Sequence, residues 1–223
     1  MPIENRGFMT VSKNWQIMPK DIFAMGPIVP VLVINKVEDA LPIAEALLTA
    51  GIKVLEVTLR TPVALDVISL IAKELPEAIV GSGTVTNRQQ LQQSVDAGAK
   101  FAISPGLTKG LLQAGNEGNI ALIPGICSIS ELMDAVDFGY DHLKFFPAEA
   151  SGGVNAIKSI GGPFPDIKFC PTGGINLNNV RDYLALPTVA CCGGSWLVPN
   201  DAVEQKNWSA ITKLANEALA YVK

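Results

Sequence analysis

Histidine is nearly missing from this chain: one residue in 223, His142. A single imidazole excludes the H-E-x-x-H zinc motif and leaves one ring at most to serve as a base. Cysteine is scarce and unpatterned. Cys127, Cys170, Cys191 and Cys192 show no C-x-x-C metal spacing. Each falls in a strand-like segment where a thiol acts as a small hydrophobe, which fits a reduced cytoplasm. Metal catalysis is therefore disfavoured, with a carboxylate-held Mg²⁺ the one form left open, and no cofactor is expected. Charge is sparse too. The charged fraction is 17%, the formal net charge −4 and the pI near 5.1, with Lys and Arg scattered, so no basic field awaits a polyanion and nucleic acid is not an expected partner. No apolar run of about 18 residues is present to span a bilayer. Glu4, Asn5, Arg6, Lys13 and Lys20 interrupt the start of the chain, where a secretory signal would be apolar.

What the chain does have is bulk and rhythm. Hydrophobic residues make up 48% of it, enough for a large core. Short apolar runs rich in β-branched residues begin near Ile28, Val54, Ile79, Phe101, Ile120, His142, Ile167 and Val189, which is eight runs spaced 19 to 26 residues apart. Between them, apolar residues fall at helical spacing over Glu38 to Ala50, Pro62 to Leu75, Asn87 to Ala97, Thr108 to Glu117, Ser128 to Phe138, Gly153 to Ile160, Leu177 to Leu186 and Asn207 to Val222. Strands that are apolar on both faces and joined by helices indicate a covered parallel sheet. Eight such units predict an α/β fold of the (β/α)₈ TIM-barrel type in a single domain over 1–223. An open doubly wound sheet would want G-x-G-x-x-G after its first strand, and Pro30 to Asn35 leads to Lys36 instead. Trp15 to Met25 reads as a short N-terminal helix plugging the barrel bottom, after an extension over residues 1–13. Thr61-Pro62, Thr86-Asn87, Ser128 and Asn176 stand where N-caps are expected, and Gly51, Gly98 and Gly139 where helices stop.

Active sites of such barrels form at the C-terminal ends of the strands. There the run His142-Leu143-Lys144-Phe145-Phe146-Pro147 places an ammonium at an apolar strand end. Burial lowers a lysine's pKa and frees the neutral amine that attacks carbonyl carbon; the bland reading is a stem that packs while its head reaches solvent. Strand two, Val54 to Arg60, alternates so that Glu56, Thr58 and Arg60 share one face. A glutamate between Leu55 and Val57 is either one half of a buried ion pair with Arg60 or a carboxyl of raised pKa that moves protons. An amine and a carboxyl at one mouth suit imine chemistry.

Glycine pairs end strands seven and eight, Thr172-Gly173-Gly174 and Gly193-Gly194-Ser195, the loops that hold phosphate in this fold. Gly152-Gly153 reads as a turn. Thr84 and Ser104 end strands three and four, as hydroxyls for the site or as helix caps. Lys53 and Lys168 sit at strand starts, the end tied to stability. His142 precedes the lysine and reads as packed or solvated, and Cys127 as a packing residue near the site.

Taken together, Leu55-Glu56-Val57-Thr58-Leu59-Arg60-Thr61, Gly81-Ser82-Gly83-Thr84-Val85, Ile103-Ser104-Pro105-Gly106, Lys144-Phe145-Phe146-Pro147-Ala148-Glu149 and Pro171-Thr172-Gly173-Gly174-Ile175 resemble the bacterial 2-keto-3-deoxy-6-phosphogluconate (KDPG) aldolases, which are metal-independent class I aldolases. The resemblance implies a Schiff base on Lys144, proton transfer by Glu56 through a water, and a pyruvate carboxylate held by Arg60 and Thr84. It implies an apolar wall from Pro105 and Phe146, sugar hydroxyls on Thr172, and phosphate on Gly173, Gly174 and Ser195. The partner would be a small keto-acid sugar phosphate, cleaved to pyruvate and glyceraldehyde 3-phosphate. Such enzymes are usually homotrimers and often also cleave 4-hydroxy-2-oxoglutarate. Two rival functions remain at this stage: an aldolase for the galactonate-derived epimer, and a phosphate-binding barrel that forms no imine.

Overall fold

The apolar runs fold as parallel strands whose side chains are buried on both faces, so that Leu55 and Val57 are as inaccessible as Glu56 between them. The computed structural model describes residues 13–222. Its strands are β1 (Ile28–Leu32), β2 (Val54–Thr58), β3 (Ile79–Gly83), β4 (Phe101–Ile103), β5 (Ala121–Ile123), β6 (Gly125–Ile126), β7 (His142–Phe145), β8 (Lys168–Pro171) and β9 (Cys192–Gly194). Six make one parallel sheet in the order β5-β4-β3-β2-β1-β9, and three make another in the order β6-β7-β8. The fold is therefore α/β with a curled parallel sheet.

Two departures from the expected strand pattern have local causes. The strand expected from Ile120 is split into β5 and β6 at Pro124, which has no N–H to give a ladder. The strand expected from Val189 pairs continuously only at its end, in β9. Isolated parallel bridges join Phe169 to Val189 and Thr172 to Gly193, with three steps of chain between them on one side and four on the other, so the extra residue breaks the ladder at Ala190 and Cys191.

Helices follow the strands: α1 (Pro19–Ala24), α2 (Ala40–Thr49), α3 (Ala64–Glu74), α4 (Arg88–Asp96), α5 (Lys109–Glu117), α6 (Ile129–Asp137), α7 (Gly153–Gly161), α8 (Val180–Leu184), α9 (Asn200–Glu204) and α10 (Trp208–Val222). Asn87 accepts from the Gln90 N–H, and Ser128 forms a full capping box with Glu131, as their positions led one to expect. Gly51, Gly98 and Gly139 close helices with φ of +92°, +88° and +76°. Thr61 is not a cap: its hydroxyl donates to the Ile34 carbonyl, and α3 starts after Val63. Asn176 does cap the turn that leads into α8: its Oδ1 accepts the Asn178 N–H at 2.9 Å and its carbonyl the Val180 N–H at 3.0 Å, while α8 itself starts after Asn179. The short helix α9 was hidden in a segment without clear periodicity. None of the described helices is long and apolar enough to cross a membrane.

The N-terminal helix is shorter than the span Trp15 to Met25 suggested, and it lies at the strand-start end. Phe23 meets His142 edge-on at 5.3 Å, and the lead-in is pinned by Trp15 Nε1 donating to Gly115 O at 2.8 Å. The expected extension falls outside the described residues except for Lys13, which donates to Gly139 O and lies 3.9 Å from the Tyr140 ring centre. One continuous cluster of buried apolar side chains runs from Trp15 to Ala218.

The capping box provides a test of local design. Ser128→Ala leaves the Glu131 N–H without its partner, with an expected cost of about 1 kcal/mol, read as a lower urea midpoint at unchanged slope.

Candidate active site

Lys144 and Glu56 lie on β7 and β2, strands of different sheets that do not pair, yet Lys144 Nζ stands 3.1 Å from Glu56 Oε1. The contact therefore crosses the space between the two sheets. Both side chains are inaccessible, with Lys144 5% exposed and Glu56 1%. Of the two readings open for Glu56, an ion pair with Arg60 or a carboxyl sharing the mouth with the amine, the contact with Lys144 fits the second. Two opposite charges desolvated together are tolerable because each supplies what water would have given the other.

The backbone is shaped to admit this pair. A Cβ on Gly83 would come 2.7 Å from Cγ of Glu56, so glycine at the end of β3 is what leaves room for the carboxylate. On β6, Gly125 sits beside Lys144 in register, and a Cβ there would strike the Pro105 backbone at 2.5 Å. Pro105 thus lies against β6, the strand paired with the lysine strand. The Ser104 hydroxyl is neither a cap nor a free group: it accepts the Gly125 N–H at 3.3 Å and ties the β4 loop to β6.

Phe146 follows on the same face, its ring centre 5.3 Å from Lys144 Nζ. Beyond it lies the β8 loop, since a Cβ on Gly173 would meet the Phe146 ring at 3.3 Å. Gly173 and Gly174 both hold left-handed backbones, with φ of +99° and +82°. The Gly174 carbonyl is turned aside by the amides of Asn176 and Asn179 at 3.1 and 3.0 Å, and among the described residues nothing accepts its N–H. Thr172 is buried and bridges to Gly193, with Ser195 exposed two residues on. Lysine, aromatic ring and glycine loops form one contiguous stretch.

On the other flank, the Leu59 N–H donates to Gly83 O, so Arg60 and Thr84 leave β2 and β3 side by side. Arg60 is exposed. Thr84 has φ of +61°, an outlier for a β-branched residue and a kind of strain that clusters at functional sites. Thr58 belongs to the framework, donating to Leu32 O at 2.9 Å.

The remaining candidates fall where the strand-end rule put them. Lys168 donates to Pro187 O and Lys53 is exposed, both at strand starts, and His142 bonds Asp141. Cys127 is not a strand packing residue: it is exposed, and slight burial together with Glu131 holds its thiol above the ordinary value. Cys170 is buried beside Lys144 in register, and burial pushes the neighbouring Cys191 thiol up. Sequence reasoning missed Gly83 and Gly125 as space-makers, although their places beside an ionisable strand residue were the available signal.

A family model described as KDPG and KHG aldolase matches residues 20–214. The chain belongs to that family. It is 64% identical over 210 residues to the 2-dehydro-3-deoxy-phosphogluconate aldolase of Pseudoalteromonas atlantica, covering 94% of this chain and 98% of that protein. Against the KHG/KDPG aldolase of Escherichia coli K12 the identity is 58%, covering 95% and 99%. A KDPG aldolase from Legionella pneumophila, with pyruvate captured at low pH as a covalent carbinolamine intermediate, superposes with a TM-score of 0.91 at 53% identity, covering 92% of this chain and 100% of that one. As a member of this aldolase family the chain is a carbon–carbon lyase.

The buried pair makes a stability prediction that is independent of activity. Lys144→Met strands the Glu56 carboxylate, with an expected cost of about 3–5 kcal/mol. Adding Glu56→Gln to that variant recovers a large part of the loss, so urea melts should show the double variant more stable than the single one.

Proposed function

We propose that this chain is a Schiff-base aldolase that cleaves 2-keto-3-deoxy-6-phosphogluconate to pyruvate and glyceraldehyde 3-phosphate. It also cleaves 4-hydroxy-2-oxoglutarate to pyruvate and glyoxylate. The observation that carries this reading is the 3.1 Å contact between Lys144 and Glu56: an amine nucleophile and a proton carrier, both out of water, within one hydrogen bond. A phosphate-binding barrel without an imine has no use for that pair.

The steps follow from that contact. Glu56 takes a proton from the Lys144 ammonium, and the freed amine adds to the C2 keto carbon. The carboxyl returns the proton, through a water, to the carbinolamine oxygen, which departs as water and leaves a protonated imine. That cation accepts the electrons of the C3–C4 bond as the C4 hydroxyl gives its proton to Glu56, so glyceraldehyde 3-phosphate leaves and an enamine remains. Protonation of C3 by the same carboxyl and hydrolysis of the imine release pyruvate and restore the pair. One proton cycles between Glu56 and the substrate, with no cofactor required.

The other roles follow from position. Arg60 and Thr84, side by side beyond β2 and β3, take the pyruvate carboxylate, and the left-handed Thr84 backbone is the strain such a clamp accounts for. Pro105 and Phe146 wall the keto group, Thr172 meets the sugar hydroxyls, and Gly173, Gly174 and Ser195 take the phosphate, for which the unpartnered Gly174 N–H is an anion donor.

The two sheets are read as one closed (β/α)₈ barrel in a single domain, because only Pro124 separates β5 from β6 and two bridges link the β8 and β9 segments. Ile129 and Met133, one turn apart on α6 and 49% and 55% exposed, are apolar surface that a homotrimer would cover. Four free thiols fit the cytoplasm.

Incubation with pyruvate and sodium borohydride, followed by peptide mass spectrometry, is expected to place a reduced pyruvyl adduct on Lys144. Lys144→Arg should form no adduct and lose turnover on the order of 10⁴-fold or more while staying folded. A folded wild-type protein that forms no adduct would overturn the mechanism.

A further inference from the structure

Glu149 and Tyr183 take no part in the chemistry above, yet they sit directly behind its phosphate loop. Tyr183 on α8 is completely buried, and its phenol donates a hydrogen bond to Glu149 Oε1. Burial, and then the carboxylate beside it, pushes the Tyr183 phenol well above its ordinary range, so it stays a donor. Glu149 as a whole is an exposed residue, so the contact joins a buried phenol to a surface carboxylate.

The glutamate is wedged against glycine. A Cβ on Gly174 would fall 2.5 Å from Cγ and 2.8 Å from Cβ of Glu149, so the side-chain stem lies flat on the Gly174 backbone. A Cβ on Gly153, at the start of α7, would lie 3.3 Å from both Glu149 Oε1 and the Tyr183 hydroxyl. Main-chain bonds complete the brace: Ala148 N–H donates to Thr172 O at 2.8 Å and Glu149 N–H to Gly173 O at 3.1 Å. Every residue of Thr172-Gly173-Gly174 is therefore touched by the segment that carries Lys144.

We infer that Glu149, clamped by Tyr183, is a positioning residue that holds the Gly173-Gly174 loop in its anion-binding shape and so selects phosphorylated over unphosphorylated keto-acid substrates. The inference rests on the phosphate reading proposed above. Glu149 touches no reacting atom; its carboxylate would repel a phosphate were it free to swing forward, and the phenol keeps it turned back. Removing the clamp loosens the loop and frees that charge. The lysine and Glu56 are unaffected, because Phe146 and Pro147 lie between.

The test is a substrate ratio. KM and kcat are measured for 2-keto-3-deoxy-6-phosphogluconate and for 4-hydroxy-2-oxoglutarate with the wild type, Tyr183→Phe, Glu149→Ala, Glu149→Gln and Ser195→Ala. Tyr183→Phe and Glu149→Ala are expected to raise KM for the phosphorylated substrate roughly three- to tenfold, the scale of one hydrogen bond, with kcat and the values for 4-hydroxy-2-oxoglutarate unchanged. Glu149→Gln keeps the stem and an acceptor for Tyr183 while losing the charge, so its KM should sit at or below the wild-type value. Equal losses on both substrates would make the pair a plain fold contact, and an unmoved ratio would also overturn the inference. Ser195→Ala separates the two levels. If it shifts the ratio and the Glu149 and Tyr183 variants do not, only this inference fails; if it shifts nothing and inorganic phosphate does not compete, the phosphate reading itself falls.

Discussion

Removing two opposite charges from water at one point is the constraint around which this molecule is arranged. Either charge alone would be intolerable at Lys144 or Glu56, where the exposure is 5% and 1%. Their 3.1 Å contact makes each the other's solvent, and it works only while β2 and β7 face one another at fixed separation. A pair reaching from one sheet to the other is thus a packing requirement as much as a chemical one. The glycines nearby express the same requirement. Gly83 clears space for the carboxylate, and Gly125 lets the Pro105 backbone close against β6 beside the lysine strand.

Once the pair is fixed, the polarity of parallel strands does the rest. All the strands end on the same side, so the loops after β2, β3, β4, β7, β8 and β9 converge without any long excursion. Arg60 and Thr84 emerge together because Leu59 is bonded to Gly83, and Phe146 separates the lysine from the Gly173 loop by one ring. The opposite end is given to anchoring. Trp15, Phe23, Tyr140 and His142 pack there, and their polar atoms go to carbonyls or to Asp141, well away from the amine.

The strands and helices were legible because burial on both faces leaves an unbroken apolar run, and because Asn87 and Ser128 announce helix starts through the N–H groups they satisfy. Lys144 and Glu56 were legible for the opposite reason, as charges where the pattern demands none. What escaped was tertiary. Nothing in the run Val54 to Arg60 says that Glu56 pairs across the sheets instead of with Arg60 four residues on, since that choice depends on how the sheets curl. Thr61 looks like a cap in sequence, but the Ile34 carbonyl beyond β1 competes for its hydroxyl and wins. Pro124 did carry a readable signal: a residue without an N–H in the middle of a strand must break it.

In the proposed mechanism the segment from Lys144 to Glu149 does two tasks with six residues, and the arrangement has a physical logic. A keto-acid sugar phosphate has its carbonyl at one end and its phosphate at the other, so an enzyme for it must fix the distance between nucleophile and anion site. A nucleophile on one element and an anion loop on another would let thermal motion of each blur that distance. Here the chain that ends β7 at the lysine runs on to donate two main-chain bonds to the β8 loop and to lay Glu149 along Gly174. The loop is thereby tied to the segment beyond Pro147, with Phe146 and Pro147 between that brace and the amine. The buried phenol of Tyr183 closes the frame from α8, the helix that follows the loop in sequence, so the loop is held from both of its neighbours and keeps its shape before substrate arrives. Preorganisation of this kind is what the proposed mechanism needs, because one amine and one carboxyl leave the geometry between the reacting centre and the remote charge to be set by the fold.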